Sequence, residues 1–256
     1  MNRPLILITN DDGVAARGLL TLCDVASEFG DVVVMAPEYN LSGKSHSLTT
    51  DRPLRVHEIK RDNSIKLFAC TGTPADCVKL ATEHFCPRQP DLVLSGINHG
   101  SNSSINVLYS GTMGAVLEAT ALGLNAVGFS LLNHNPEADF SACLPYTRSI
   151  IAGVLEHGLP DGVALNVNIP RLDASQIKGM RICHQAKAKW LDSFEQRIDP
   201  RGQPYWWLTG KFVCDTPPET SDEWALANGY VSVVPTRTDF TGYDAIDTIR
   251  NMFSKP

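Results

Sequence analysis

Five short runs of unbroken apolar residues constrain this chain more than any other feature. They are Leu5-Ile6-Leu7-Ile8-Thr9, Val32-Val33-Val34-Met35-Ala36, Leu92-Val93-Leu94-Ser95, Ala126-Val127-Gly128-Phe129-Ser130 and Val163-Ala164-Leu165-Asn166-Val167. A strand without polar alternation is one covered on both faces. Helical patterns lie between several of the runs. One spans residues 19–29, where Leu19, Cys23, Ala26 and Phe29 recur at helical spacing. A second spans 74–85, with Thr73 able to cap it, Pro74 suited to its first turn, and Val78, Ala81 and Phe85 on one face. Two more span 112–122 and 141–157. Strands alternating with helices predict a mostly parallel sheet with helices on both faces, a three-layer, Rossmann-like α/β fold. The 256 residues suit one such domain, 1–256, with room for an appendage.

Two stretches break the rhythm. Residues 47–70 alternate, carry Pro53, and read as antiparallel strands beside the main sheet. In the last third, Trp190, Trp206, Trp207 and Trp224 cluster, residues 203–213 are aromatic and extended, 230–235 read as another strand, and 242–253 as a closing helix. Residues 186–235 thus predict a β-rich arm with more aromatic surface than a finished domain exposes alone. Repeats, low-complexity tracts and flexible linkers are not evident.

The net charge of −6 argues against stable binding to nucleic acid, which wants a basic face. It is compatible with a small anionic substrate, because a bound cation inverts the local field. The seven cysteines are odd in number, and none stands at C-x-x-C spacing. Free, buried thiols in a reducing cytoplasm are the simplest expectation. The first apolar run is too short for a signal-peptide core, and the longest weakly polar stretch, 119–132, is shorter than the roughly 20 residues of a membrane span.

In open parallel sheets, ligands bind beyond the carboxyl ends of the strands. Three loops should open there. They are Thr9-Asn10-Asp11-Asp12-Gly13, the segment from Ala36-Pro37 to Ser47, and Ser95-Gly96-Ile97-Asn98-His99-Gly100. Adjacent carboxylates repel, and a divalent cation removes the conflict. One of the two can instead simply cap the next helix. Oxygen donors from Ser42 and Asn98 would complete a hard, oxygen-only shell suited to Mg²⁺, Mn²⁺ or Ca²⁺ rather than zinc. Other motifs fail. Gly43-Lys44-Ser45 lacks the first glycine of a P-loop, which would fall at Glu38. Gly96 and Gly100 do not make a dinucleotide-binding pattern. Asp-Asp is not the Asp-x-Asp of aspartyl-phosphate phosphatases. A receiver domain is about half this length and needs an acceptor aspartate after its third strand.

Five blocks then occur in order. They are Thr9-Asn10-Asp11-Asp12-Gly13; Ala36-Pro37 with Ser42-Gly43 and Ser45-His46-Ser47-Leu48-Thr49; Gly72-Thr73-Pro74-Ala75-Asp76-Cys77-Val78; Ser95-Gly96-Ile97-Asn98; and Tyr109-Ser110-Gly111-Thr112. Together they resemble the SurE family of metal-dependent nucleotidases, closely over residues 1–131 and more loosely beyond, where Gly229-Tyr230-Val231-Ser232-Val233 matches best. Leu41 stands where that family often has a basic residue, with Lys44 the nearest cation, and Asp239-Phe240-Thr241-Gly242-Tyr243 departs from the usual pattern.

The resemblance implies hydrolysis of nucleoside 5′- and 3′-monophosphates, and of short polyphosphates. It implies one Mg²⁺ or Mn²⁺ per subunit on Asp11, Asp12, Ser42 and Asn98, with Asp11, Asp12 and Asn98 catalytic. It also points to a homodimer or homotetramer built by exchange of the 186–235 arm. Asn10, Gly43, Lys44, Ser45, Ser110, Gly111 and Thr112 are the candidate phosphate contacts. Ser110-Gly111-Thr112 opens a predicted helix whose free N–H groups form an anion site, and Gly43 to Ser45 offer a second backbone cradle. Ser110 and Thr112 serve equally as helix caps. His46 and His99 lie in the site loops as candidate acid–base groups. The rival reading is a non-catalytic nucleotide- or metal-sensing module on the same fold.

Overall fold

The computed structural model describes residues 3–59 and 65–253, and each of the five apolar runs in it is a buried strand. In chain order the elements are β1 (Leu5–Thr9), α1 (Arg17–Ala26), β2 (Asp31–Pro37), β3 (Val56–Ile59), β4 (Lys66–Cys70), α2 (Pro74–Leu80), β5 (Leu92–His99), α3 (Gly111–Ala121), β6 (Ala126–Leu131), α4 (Leu144–His157), β7 (Val163–Ile169), β8 (Met180–Ile182), β9 (Lys189–Ile198), β10 (Pro204–Val213), α5 (Asp222–Ala227), β11 (Val231–Arg237) and α6 (Ile246–Phe253).

One sheet runs in the order β3-β4-β2-β1-β5-β6-β7-β11-β8. Its six central strands, β4 to β7, are parallel. β3 and β11 join antiparallel at the flanks. The period-two alternation of a strand sends Ile6 and Ile8 into one core with Leu19 and Leu22 of α1 and Ile150 and Ile151 of α4. Leu5 and Leu7 enter a second core, with Val78 of α2 and Met113 and Val116 of α3. The three layers are therefore present.

Residues 47–70 differ from expectation. Only β3 is antiparallel, and β4 is parallel to β2 and part of the main sheet. Leu67 and Ala69 complete one core and Cys70 the other, so burial on both faces decides the matter. Residues 60–64 of that stretch lie outside the described residues. The helix expected over 74–85 starts as predicted. Thr73 Oγ accepts from the Asp76 N–H at 3.1 Å, and Asp76 accepts in return from the Thr73 N–H at 2.9 Å. Regular α-helix ends at Leu80, however, and a wider turn continues from Ala81 to Phe85.

Strand order reverses between β1 and β5, because the chain runs outward from β1 through β2 and β4 and then returns to the other side of β1. That crevice is where an open parallel sheet binds ligands. β9 and β10 form a separate antiparallel hairpin in ten-residue register.

Candidate active site

Asp11 and Asp12 leave β1 at this crevice. Asp11 is only 2% exposed. Its Oδ1 accepts a 2.6 Å bond from the Thr112 hydroxyl at the start of α3. Burial pushes its carboxyl above the usual aspartate range. The Thr112 bond opposes that shift, and the Asp12 charge adds to it. Gly111 makes the approach feasible, since a Cβ there would lie 2.8 Å from Asp11 Cβ and 3.0 Å from Asp11 Oδ2. Asp12 Oδ2 accepts from the backbone N–H of His99 at 3.1 Å and faces His99 Nδ1 at 3.2 Å.

The neighbouring loops close on this pair. The Leu41 N–H donates to the Asp11 carbonyl at 2.7 Å, which ties the β2 loop to the β1 loop. Ser42 Oγ then stands 3.5 Å from Asp12 Oδ1. In β5 the pairing register shifts between Ser95 and Asn98, and such irregularities re-aim side chains. Asn98 is 7% exposed, and its amide N–H donates to the Gly100 carbonyl at 2.9 Å, which directs its carbonyl oxygen elsewhere. Asp11, Ser42 and Asn98 line one cavity of about 500 Å³ with Gly43, Tyr109 and Ser110.

These oxygens fit a hard divalent cation. Among the described residues no three His, Cys, Asp or Glu side chains form a metal cluster, so a cation here rests on two carboxylates with neutral oxygens. That is a donor set for Mg²⁺ or Mn²⁺ and not for zinc. The raised Asp11 carboxyl marks a negative charge that the protein alone leaves undercompensated.

Not every candidate lies in this cavity. Gly43 and Ser110 line it, and Ser110 also caps α3 by accepting from the Met113 N–H at 3.0 Å. Asn10 is fully buried, braces the turn through a 3.0 Å bond to the Gly13 carbonyl and is not among the residues lining the cavity. Thr112 is buried and spends its hydroxyl on Asp11, and Gly111 provides space rather than a contact. Ser45 gives its hydroxyl to the Leu108 carbonyl at 2.5 Å. Lys44 is exposed and is not among the lining residues.

His46 faces away from the pair. Its Nε2 lies 2.8 Å from Glu118 Oε2, while Lys79 Nζ donates to Oε1 at 2.6 Å. It borders a different cavity, behind α3. His99 does line the site, but its Nε2 is buried without a partner among the described residues and its ring packs edge-on against Phe140. That geometry suits holding Asp12 better than exchanging protons with solvent.

Sequence reasoning missed the rest of the wall. Asn102 is buried, donates to Asn168 Oδ1 from its backbone at 2.8 Å and to Ser130 Oγ from its side chain at 2.9 Å. The Ser104 N–H donates to Asp222 Oδ2 at 2.8 Å. This network fastens the loop after β5 to β6, β7 and α5. Asn166 and Asn168, polar residues inside an apolar strand, were the available signal. Tyr109 and His134 line the cavity, as do Trp190, Asp192, Leu208, Thr209 and Gly210 from the base of the hairpin. No local pattern relates those distant positions to Asp11.

The chain is similar to known proteins over nearly its whole length. The family model described as Survival protein SurE matches residues 6–192. A protein named 5′-nucleotidase SurE from Flavobacterium psychrophilum is 49% identical over 252 residues, 98% of each chain. Its namesake from Christiangramia forsetii is 50% identical over 246 residues, 95% of each. The crystal structure of the SurE protein from Aquifex aeolicus superposes with a TM-score of 0.84 at 37% identity, covering 97% of this chain and 99% of that one.

Proposed function

This chain belongs to the SurE family, and on that premise we propose that the Asp11–Asp12 edge hydrolyses the phosphomonoester of nucleoside 5′- and 3′-monophosphates, and the phosphoanhydride bonds of short polyphosphates, with a divalent cation. The chain is a phosphoric monoester hydrolase. The observation that carries the site assignment is the meeting of the Asp11 carboxylate, the Ser42 hydroxyl and the Asn98 amide in one cavity at the switch point of the sheet, with Asp12 at 3.5 Å from the Ser42 hydroxyl.

Asp11, Asp12, Ser42 and Asn98 would hold Mg²⁺ or Mn²⁺. When bound, the cation supplies positive charge to the phosphoryl oxygens and acidifies water for attack. The chain does the rest. Thr112 fixes the Asp11 rotamer, and His99 fixes Asp12 through two nitrogens on one oxygen. Ser110, at the N-terminus of α3, lines the cavity as a polar group beside the charge that grows on the phosphate. Gly43, with its φ of +76° and open surroundings, presents backbone to the same space.

Two further proposals complete the reading. The part of the hairpin face outside the cavity exposes Phe194, Ile198 and Trp206, an apolar surface suited to a second copy of the chain in a homodimer or homotetramer. The seven cysteines, buried or half-buried, fit a reducing, cytoplasmic setting. Among the described residues no helix is long and apolar enough to cross a membrane.

The test is phosphate release from a panel of nucleoside monophosphates, with Mg²⁺, Mn²⁺ or EDTA. Release that needs the cation supports the reading. No release from any nucleotide with either metal would return the chain to a sensing role.

A further inference from the structure

The cavity lined by Asp11, Ser42 and Asn98 has a second, apolar end, which the phosphate chemistry does not use. It is formed by Tyr109 and by the base of the β9–β10 hairpin. Register places Trp190 opposite Phe212, Asp192 opposite Gly210, and Phe194 opposite Leu208. With period-two alternation these six share one face of the hairpin.

The Trp190 indole is held at two points. Its N–H donates to Asn106 Oδ1 at 2.8 Å, and the Phe212 ring meets it edge-on with centroids 5.6 Å apart. Asn106 belongs to the turn that Asp222 anchors through Ser104. Despite these contacts the residue is 40% exposed, and Tyr109 is 52% exposed. An aromatic surface held at two points beside a polar site is an ordering platform for a planar group. Opposite Asp192, Gly210 removes the side chain a strand would otherwise place there. A Cβ at 210 would come within 3.2 Å of Asp192 Oδ1. Glycine inside a strand often marks close approach of a ligand. The cavity, about 500 Å³, is in the range of a small-molecule site.

We propose that this apolar end is the nucleobase subsite. The base stacks on Trp190, Tyr109 bounds it from the sheet side, and Asp192 accepts from an N–H or O–H donor of the base or sugar. Purine nucleotides, with the larger stacking face, are then preferred to pyrimidine nucleotides. The proposal rests on the nucleotidase reading and adds to it a residue that sets specificity from the arm rather than from the sheet edge.

The experiment compares wild type, Trp190→Ala, Trp190→Phe and Asp192→Asn on adenosine 5′-monophosphate and on ribose 5-phosphate, which has the same phosphoester and no base. Adenosine binding is measured in parallel by calorimetry. Trp190→Ala should raise KM for the nucleotide about 10-fold, the scale of one lost base–aromatic stack, with kcat little changed. Ribose 5-phosphate turnover should be unaffected. Trp190→Phe should recover most of the loss, and adenosine affinity should weaken by a similar factor in the alanine variant. Equal losses on both substrates, or no loss on either, would overturn the assignment. If wild type releases no phosphate from either compound, the nucleotidase reading fails by itself. Adenosine binding then decides the subsite alone: weakening in Trp190→Ala upholds it, and unchanged affinity overturns it.

Discussion

Alanine at Gly111 should separate catalysis from stability. The added Cβ would lie 2.8 Å from Asp11 Cβ, whereas carbons in contact sit about 3.5–4.0 Å apart. Roughly 1 Å must therefore be found. Asp11 cannot yield cheaply, because it is buried, short, and bound to Thr112. Small-to-large strain of this kind costs about 1–3 kcal/mol, and helix propensity returns at most about 1 kcal/mol. The net is a loss of about 0–3 kcal/mol, or at most a fall of about 12 °C in Tm for a chain of this size. Displacement of a catalytic group by about 1 Å costs on the order of 10²-fold in rate. Gly153 is the control. It lies within α4, with ordinary φ and nothing within 4 Å of its would-be Cβ, so Gly153→Ala should raise Tm by a few degrees and leave activity alone. Thermal unfolding and phosphate release from both variants suffice. Activity within about threefold of wild type in Gly111→Ala, where ~10² is expected, would refute the placement of Asp11 at the reacting centre.

Other outcomes follow from the same geometry. Asp11→Asn keeps the acceptor for Thr112 and deletes a charge whose carboxyl burial has raised above its ordinary value. A raised carboxyl destabilises the fold above its folded pKa, so in EDTA at pH 8 the variant should unfold at an equal or higher temperature, while kcat with Mn²⁺ falls at least ~10²-fold. A lower Tm in EDTA would instead make Asp11 a structural brace. Burial raises the Glu118 carboxyl, but the bonds from Lys79 and His46 outweigh it and hold the group below its ordinary 4.5. Its contribution is complete above that value and disappears as pH falls through the lowered one. The Tm advantage of wild type over Glu118→Gln should accordingly shrink from pH 6 to pH 3, and a constant difference would contradict the sign. Phe194→Glu with Trp206→Glu places charge on the exposed apolar face of the hairpin. Light scattering should then show a monomer where wild type is a dimer or tetramer, and an unchanged mass would exclude that face from assembly.

The sheet and the loops at its ligand-binding edge were legible in sequence for a simple reason. Strands buried on both faces must be written as unbroken apolar runs, and β1, β2, β5, β6 and β7 are. The loops beyond their carboxyl ends are then the favoured place for a ligand, and Asp11, Asp12, Ser42 and Asn98 all lie in them. Residues 47–70 were harder, because β4 is short and its parallel partner β2 is distant in the chain. Alternation alone cannot tell an antiparallel neighbour from an edge of the main sheet.

What the chain folded in three dimensions decided was the direction and occupation of side chains. Asn10, Ser45 and Thr112 have the right chemistry for phosphate, and each is spent on an internal bond. His46 sits four residues from Ser42 and yet turns to Glu118, because α3 packs against its backbone at Gly114. Trp190 and Asp192 reach the site from a hairpin more than 170 residues beyond Asp11. Sequence determines where polar groups occur and how often apolar ones recur. Which of those groups remain available to a ligand depends on hydrogen-bond partners brought from other elements, and that competition is settled only when the layers pack.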